Sequence, residues 1–156
     1  MVEVGQKAPD AQLYDIERKP FKISDLKGKT TVLLFFPGAF TGTCTKEMCT
    51  FRDSMSKYNN LNANVVGISV DSPFSLKGFK NANNLDFPLL SDYTRGAVNA
   101  FGVLLNDFGG LPGYTAAKRA VFVLDKDQEV RFKWIGDTPG NEPDYATVEK
   151  EAEKAK

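Results

Sequence analysis

The chain contains no histidine, and that absence removes the commonest general base and the commonest metal ligand together. A Cys-His protease or transferase is excluded, because the imidazole that would activate its thiol does not exist here. A structural zinc site would have to recruit two carboxylates beside the cysteines, an uncommon ligand set. Cysteine is scarce as well: Cys44 and Cys49 are the only two in 156 residues. Two thiols make no disulfide framework, and in a reducing compartment a cystine is usually catalytic or redox-sensing. No sign of charge dominates, since 20 Lys and Arg balance 20 Asp and Glu. There is thus no electrostatic footprint for nucleic acid or an anionic membrane surface. The apolar run 32–36 is far too short to span a bilayer. The opening Met-Val-Glu-Val-Gly-Gln-Lys lacks the apolar region of a secretory signal, so a cytoplasmic location is the expectation.

What is present is an ordinary globular composition, 42% apolar and 26% charged, long enough to bury a core without covalent staples. No repeat, low-complexity tract or linker interrupts it, so residues 1–156 are expected to form a single domain. Segments 11–14 and 21–23 flank a polar turn and read as an N-terminal hairpin. The β-branched and apolar run 30–36 has the pattern of a strand buried on both faces. Past Cys44 the period changes. Met48, Phe51, Met55 and Tyr58 recur at spacings of three and four, which predicts one amphipathic helix. Cys44 falls on its inward face and Cys49 nearer the edge. A strand over 64–70 follows, then a helix to about 81 with Ser72 as N-cap and Pro73 in its first turn. Further strands are expected at 87–90, 119–124 and 129–135, helices at 94–101 and 142–156, and a glycine-rich loop at 106–115. Strands alternating with helices and closing in a hairpin predict an α/β fold, a mixed central sheet flanked by helices. The carboxyl end of the 30–36 strand, with Pro37 to Cys44, should border a ligand crevice.

A thiol at a helix N-terminus meets unpaired backbone N–H groups and the positive end of the helix dipole, and both favour the thiolate. Thr41, three residues before Cys44, can donate to the sulfur or accept from a helix N–H. Pro37 offers no donor and fixes the chain. The competing reading of Cys44 is a small apolar core residue. On one helix, residues five apart have Cα atoms about 8–9 Å apart, whereas disulfides rarely bridge more than about 7 Å. If Cys44 and Cys49 pair, the helix must unwind. Cys-x-x-x-x-Cys is therefore unlike the Cys-x-x-Cys of a thiol–disulfide reductase. It suits a thiol that is oxidised first and resolved after a rearrangement.

Pro37-x-x-x-Thr41-x-x-Cys44 resembles the Pro-x-x-x-Thr/Ser-x-x-Cys motif of peroxiredoxins, and Cys49 five residues on resembles the bacterioferritin-comigratory, or PrxQ, branch. The resemblance extends to Gly5–Asp10 and to the stretch from Arg119 to Asp125, so it covers nearly the whole chain. It implies a thioredoxin-like fold with an N-terminal β-hairpin extension, and a peroxidase that needs no cofactor. Cys44 would attack hydrogen peroxide or small alkyl hydroperoxides. Thr41 and Arg119 would hold thiolate and peroxide, and Pro37 would wall the pocket. Cys49 would resolve the Cys44 sulfenic acid into a disulfide that a thioredoxin- or glutaredoxin-like protein reduces. The branch is often monomeric, so a monomer or weak homodimer is expected. A non-catalytic peroxide sensor or redox-switched holdase would use the same cysteines. Lys46 and Glu47 read as a solvated face, Arg52 as the partner of Asp53 or Asp71, and Trp134 as strand packing.

Overall fold

The structure, a computed structural model, describes residues 1–156. Seven strands make one sheet: β1 (Gln12–Asp15), β2 (Pro20–Lys22), β3 (Thr31–Phe35), β4 (Asn64–Ser69), β5 (Leu89–Ser91), β8 (Ala120–Leu124) and β9 (Val130–Ile135), in the order β2-β1-β5-β4-β3-β8-β9. β3, β4 and β5 run parallel, while β1 joins β5, β8 joins β3 and β9 joins β8 antiparallel. A small ribbon pairs β6 (Leu104–Leu105) with β7 (Ala116–Ala117). The expected hairpin forms with Leu13 opposite Phe21, and it is continuous with the main sheet through Tyr14 and Ser91.

β3 and β8 are buried at every position, as an unbroken apolar run requires when both faces are covered. On one face Leu33, Phe35 and Phe122 pack with Val98 of α4 (Gly96–Ala100) and with Phe101. On the other, the cluster around Val32, Leu34, Val121 and Val123 includes, besides Met55 and Tyr58, residues of three longer helices. These are α1 (Gly42–Asp53) through Cys44, Met48 and Phe51, α3 (Pro73–Ala82) through Leu76 and Phe79, and α5 (Tyr145–Lys154) through Val148 and Ala152. Burial of Met48 and Phe51 contributes about 2 kcal/mol each, which seats α1 firmly on the sheet. Gly67 makes room for this: a methyl there would fall 2.6 Å from Leu89 Cδ2 and 3.5 Å from Met48 Sδ.

The helix expected to run unbroken to Tyr58 is two helices. Ser54 leaves helical geometry and its N–H bonds the Phe51 carbonyl, three residues back, at 3.0 Å. α2 (Met55–Asn60) then restarts with Met55 and Tyr58 still buried. Asp53 and Ser54 are residues that compete with the helix for backbone hydrogen bonds, whereas the apolar stripe only reports the face. The last helix begins later than expected, because Asp144 caps it by accepting from the Ala146 and Thr147 N–H groups at 3.2 and 3.4 Å. Ser72 caps α3 as expected, accepting from the Ser75 N–H at 3.1 Å. The loop over 106–115 is present, with a single 3-10 turn at Phe108–Gly110.

Candidate active site

β3 delivers Phe36, Pro37 and Gly38, all buried, to the carboxyl edge of the sheet. The chain then turns into α1, and Asp71 fixes that turn. Its Oδ2 accepts from the Ala39 N–H at 2.8 Å and from Ser69 Oγ at 2.6 Å. Phe40 has a left-handed φ of 66°, which costs a non-glycine residue about 1–2 kcal/mol. Its ring meets Phe79 of α3 edge-on with centroids 5.3 Å apart, a contact that offsets part of that strain. Thr41 is the N-cap, and Cys44 is the third residue of α1, in the turn whose N–H groups lack intrahelical partners.

Cys44 is fully buried, and its Sγ accepts from Arg119 Nη2 at 3.2 Å. Arg119 directly precedes β8, which lies beside β3, so the pairing of those strands sets the guanidinium against the sulfur. Every nitrogen of the fork is engaged. Nη1 donates to Glu47 Oε1 at 2.8 Å, and Nε and Nη2 donate to the Pro139 carbonyl at 3.2 and 2.8 Å. A planar fork held at three points leaves the nitrogen facing the sulfur no freedom to turn away.

Glu47 is the correction to the sequence reading. It is not solvated: it is 0% exposed and forms a buried ion pair with Arg119. Its Oε2 has no hydrogen-bond partner in the protein. Burial pushes its carboxyl up from 4.5 to about 7, with Arg119 opposing that shift. Between these values the folded chain holds a proton that the unfolded chain releases. The stability this contributes is full below about 4.5 and is lost as pH rises through about 7. The loss is on the order of 3 kcal/mol. Glu47→Gln is expected to flatten the fall in urea midpoint between pH 4.5 and 7.5, and an unchanged slope would mean that Glu47 does not titrate there.

A crevice of about 170 Å³ opens beside this cluster, lined by Thr41, Gly42, Thr43, Phe108, Arg119, Pro139 and Gly140. The Thr41 hydroxyl contacts neither the sulfur nor a helix N–H; it donates to the Gly38 carbonyl at 2.7 Å. Pro37 is buried and is not among the lining residues. Phe108, from the glycine-rich loop, covers Gly38, where a methyl would approach its ring to 3.2 Å. Cys49 lies on the same unbroken helix as Cys44, half-buried, with its thiol donating to Asn83 Oδ1 at 3.7 Å. Arg52 pairs with Asp53 at 3.0 Å, and Lys46 is a surface residue paired with Glu142 at 3.2 Å. Trp134 packs with Phe132 against the core, as read from the alternation. No cluster of three or more His, Cys, Asp or Glu side chains with metal-ligating geometry is present.

Comparison with known proteins gives this geometry a setting. Residues 4–133 match the model of the AhpC/TSA family. The chain is 39% identical over 135 residues to "Peroxiredoxin Bcp" of Bacillus subtilis (strain 168), covering 85% of each chain. It is 42% identical over 131 residues to "Peroxiredoxin Q, chloroplastic" of Populus jackii, covering 84% of this chain and 59% of that protein. Among solved structures, peroxidoxin BcpB from Mycobacterium tuberculosis superposes with a TM-score of 0.82 at 30% identity, over 99% of this chain and 97% of that one. No helix is long and apolar enough to cross a membrane.

Proposed function

Since the chain belongs to the AhpC/TSA family and is a thiol peroxidase with the thioredoxin-like fold, we propose that Cys44 is the peroxidatic residue and Arg119 its principal electrostatic partner. The observation that carries this reading is the 3.2 Å contact from a guanidinium locked on its other side by Glu47 and Pro139. The Cys44 thiolate attacks the terminal oxygen of hydrogen peroxide or a small alkyl hydroperoxide. An S–O bond forms and the O–O bond breaks. The sulfur acquires the terminal OH and becomes a sulfenic acid, and the departing oxygen takes a proton to become water or an alcohol. Arg119 and the α1 N–H groups are preorganised donors for the charge that moves from sulfur to that oxygen. Thr41, whose hydrogen is committed to Gly38, offers its oxygen to the peroxide O–H. Pro37 closes the dry side of the site. Cys44 is fully buried, and peroxide approaches its sulfur from the crevice lined by Thr41 and Arg119.

Cys49 then attacks the sulfenic sulfur. Water leaves, and an intramolecular disulfide forms between the two cysteines. Both cysteines lie on intact α1, at a helical separation of about 8–9 Å between Cα atoms. The helix therefore unwinds before the bridge closes. Exchange with a thioredoxin- or glutaredoxin-like dithiol returns both thiols. A cytoplasmic location, a monomer or weak homodimer, and no cofactor complete the reading.

The test is rapid mixing of the reduced protein with one equivalent of hydrogen peroxide, followed by intact and peptide mass spectrometry. A fast Cys44–Cys49 disulfide is expected, and no reaction beyond that of free cysteine would overturn the assignment. In Cys49→Ser the first oxidation should persist while Cys44 accumulates as sulfenic and then sulfinic acid. Unchanged turnover with a thioredoxin-like reductant in that variant would remove Cys49 from the cycle.

A further inference from the structure

Cys49 is not simply waiting on the helix surface. Its thiol donates to Asn83 Oδ1 at 3.7 Å, and the orientation of that carboxamide is fixed, because Asn83 Nδ2 donates to the Phe79 carbonyl at 3.1 Å. The atom turned towards Cys49 is thus an acceptor. It satisfies an S–H and has no hydrogen to give to a sulfur anion. Asn83 is also gripped by Arg52, one turn beyond Cys49 on α1, whose Nη1 donates to the Asn83 main-chain carbonyl at 2.7 Å. Two successive positions on one face of α1 therefore dock on a single half-buried residue at the end of α3.

We infer that Asn83 is a positioning residue for the second chemical step: it holds Cys49 as a docked thiol and sets how fast Cys49 is released to the Cys44 sulfenic acid. The inference rests on the reading of Cys49 as the resolving cysteine. The step itself needs no further reagent. The Cys49 sulfur attacks the Cys44 sulfur, the S–O bond of the sulfenic acid breaks, and the thiol proton departs with the hydroxyl as water. Before that attack, Cys49 has to leave Asn83 as α1 unwinds. The S–H bond to Asn83 belongs to the starting state alone, so it slows the step. Arg52 anchors a later turn of the helix, so the unwinding is confined to the turns that carry the two cysteines. The race between release of Cys49 and a second peroxide at Cys44 then sets how readily the enzyme is overoxidised.

The experiment compares wild type, Asn83→Ala and Asn83→Asp by quench-flow mass spectrometry, reading formation of the sulfenic acid and of the disulfide separately. Asn83→Ala is expected to speed disulfide formation about two- to tenfold, the range of one neutral hydrogen bond, and to yield less sulfinic acid at high peroxide. Asn83→Asp is expected to slow it, because a carboxylate accepts the thiol hydrogen more strongly. Sulfenic acid formation should be the same in all three proteins. Opposite signs from two substitutions at one site are not what loosened packing produces. Disulfide rates that are equal, or that shift in one direction in both variants, would overturn the inference and leave the role of Cys49 standing. Absence of a Cys44–Cys49 disulfide in wild type would overturn that role and the inference with it.

Discussion

Cys44→Ser is expected to lower the second-order rate with hydrogen peroxide by about 10⁴-fold or more, the order of loss that follows removal of a nucleophile. The substitution is nearly isosteric, and the Arg119 Nη2 donor that now lies 3.2 Å from the sulfur can still be accepted by a hydroxyl. What is lost is the atom that can carry the transferred oxygen. A serine alkoxide is not available near neutral pH, and its oxygen cannot be oxidised as sulfur is. Cys49 remains in the variant, so the residual rate reports what an ordinary thiol on this helix can do. Peroxide consumption in the presence of a dithiol, with urea unfolding to confirm the fold, is the measurement. Turnover within tenfold of wild type would move the chemistry away from Cys44.

Arg119→Met is the second large effect. It should lower the rate of sulfenic acid formation by about 10²–10³-fold, as removal of a preorganised donor does elsewhere. It also strands Glu47, whose only hydrogen-bonded oxygen is held by Arg119 at 2.8 Å. An uncompensated buried charge costs about 3–5 kcal/mol, a loss that protonation of Glu47 limits. Lost stability and lost catalysis can be separated. The double variant with Glu47→Gln should regain most of the stability at pH 7.5 and none of the rate. Regain of both would mean that Arg119 supports the fold and not the sulfur. Arg119→Lys should fall between, because one ammonium cannot reach Cys44, Glu47 and Pro139 together in a fixed plane.

Much of this molecule was legible in its sequence, for physical reasons that can be named. β3 and β8 were readable because burial on both faces leaves an unbroken apolar run. The N-cap of α3 was readable because Ser-Pro has few other uses. Glu47 was misread because its charge was weighed above its place. It lies three residues after Cys44 and four before Phe51, and both are buried on the inward face of α1. The spacing that put Cys44 inside therefore put Glu47 inside as well. Nothing local could have revealed that Pro139 offers its carbonyl to Arg119, since that contact spans 20 residues of irregular chain and strand. Asp71 was noted only as a possible partner for Arg52. Its bond to the Ala39 N–H crosses 32 residues and depends on the parallel pairing of β3 with β4. The break at Ser54 escaped because an amphipathic stripe continues across a kink whenever both helices face one core.

The guanidinium and the sulfur it faces are 75 residues apart in the chain, and they meet only because β8 is laid against β3. During synthesis both cysteines leave the ribosome well before β8 exists. Closing so long a loop carries an entropic cost that local contacts do not offset. Until it closes, Cys44 lacks the guanidinium that faces its sulfur in the folded protein. On the proposed assignment of Cys44 and Arg119, completion of the sheet thus acts as a safety catch. On that assignment, the Cys44 sulfur gains its electrostatic partner only when the core around it is sealed.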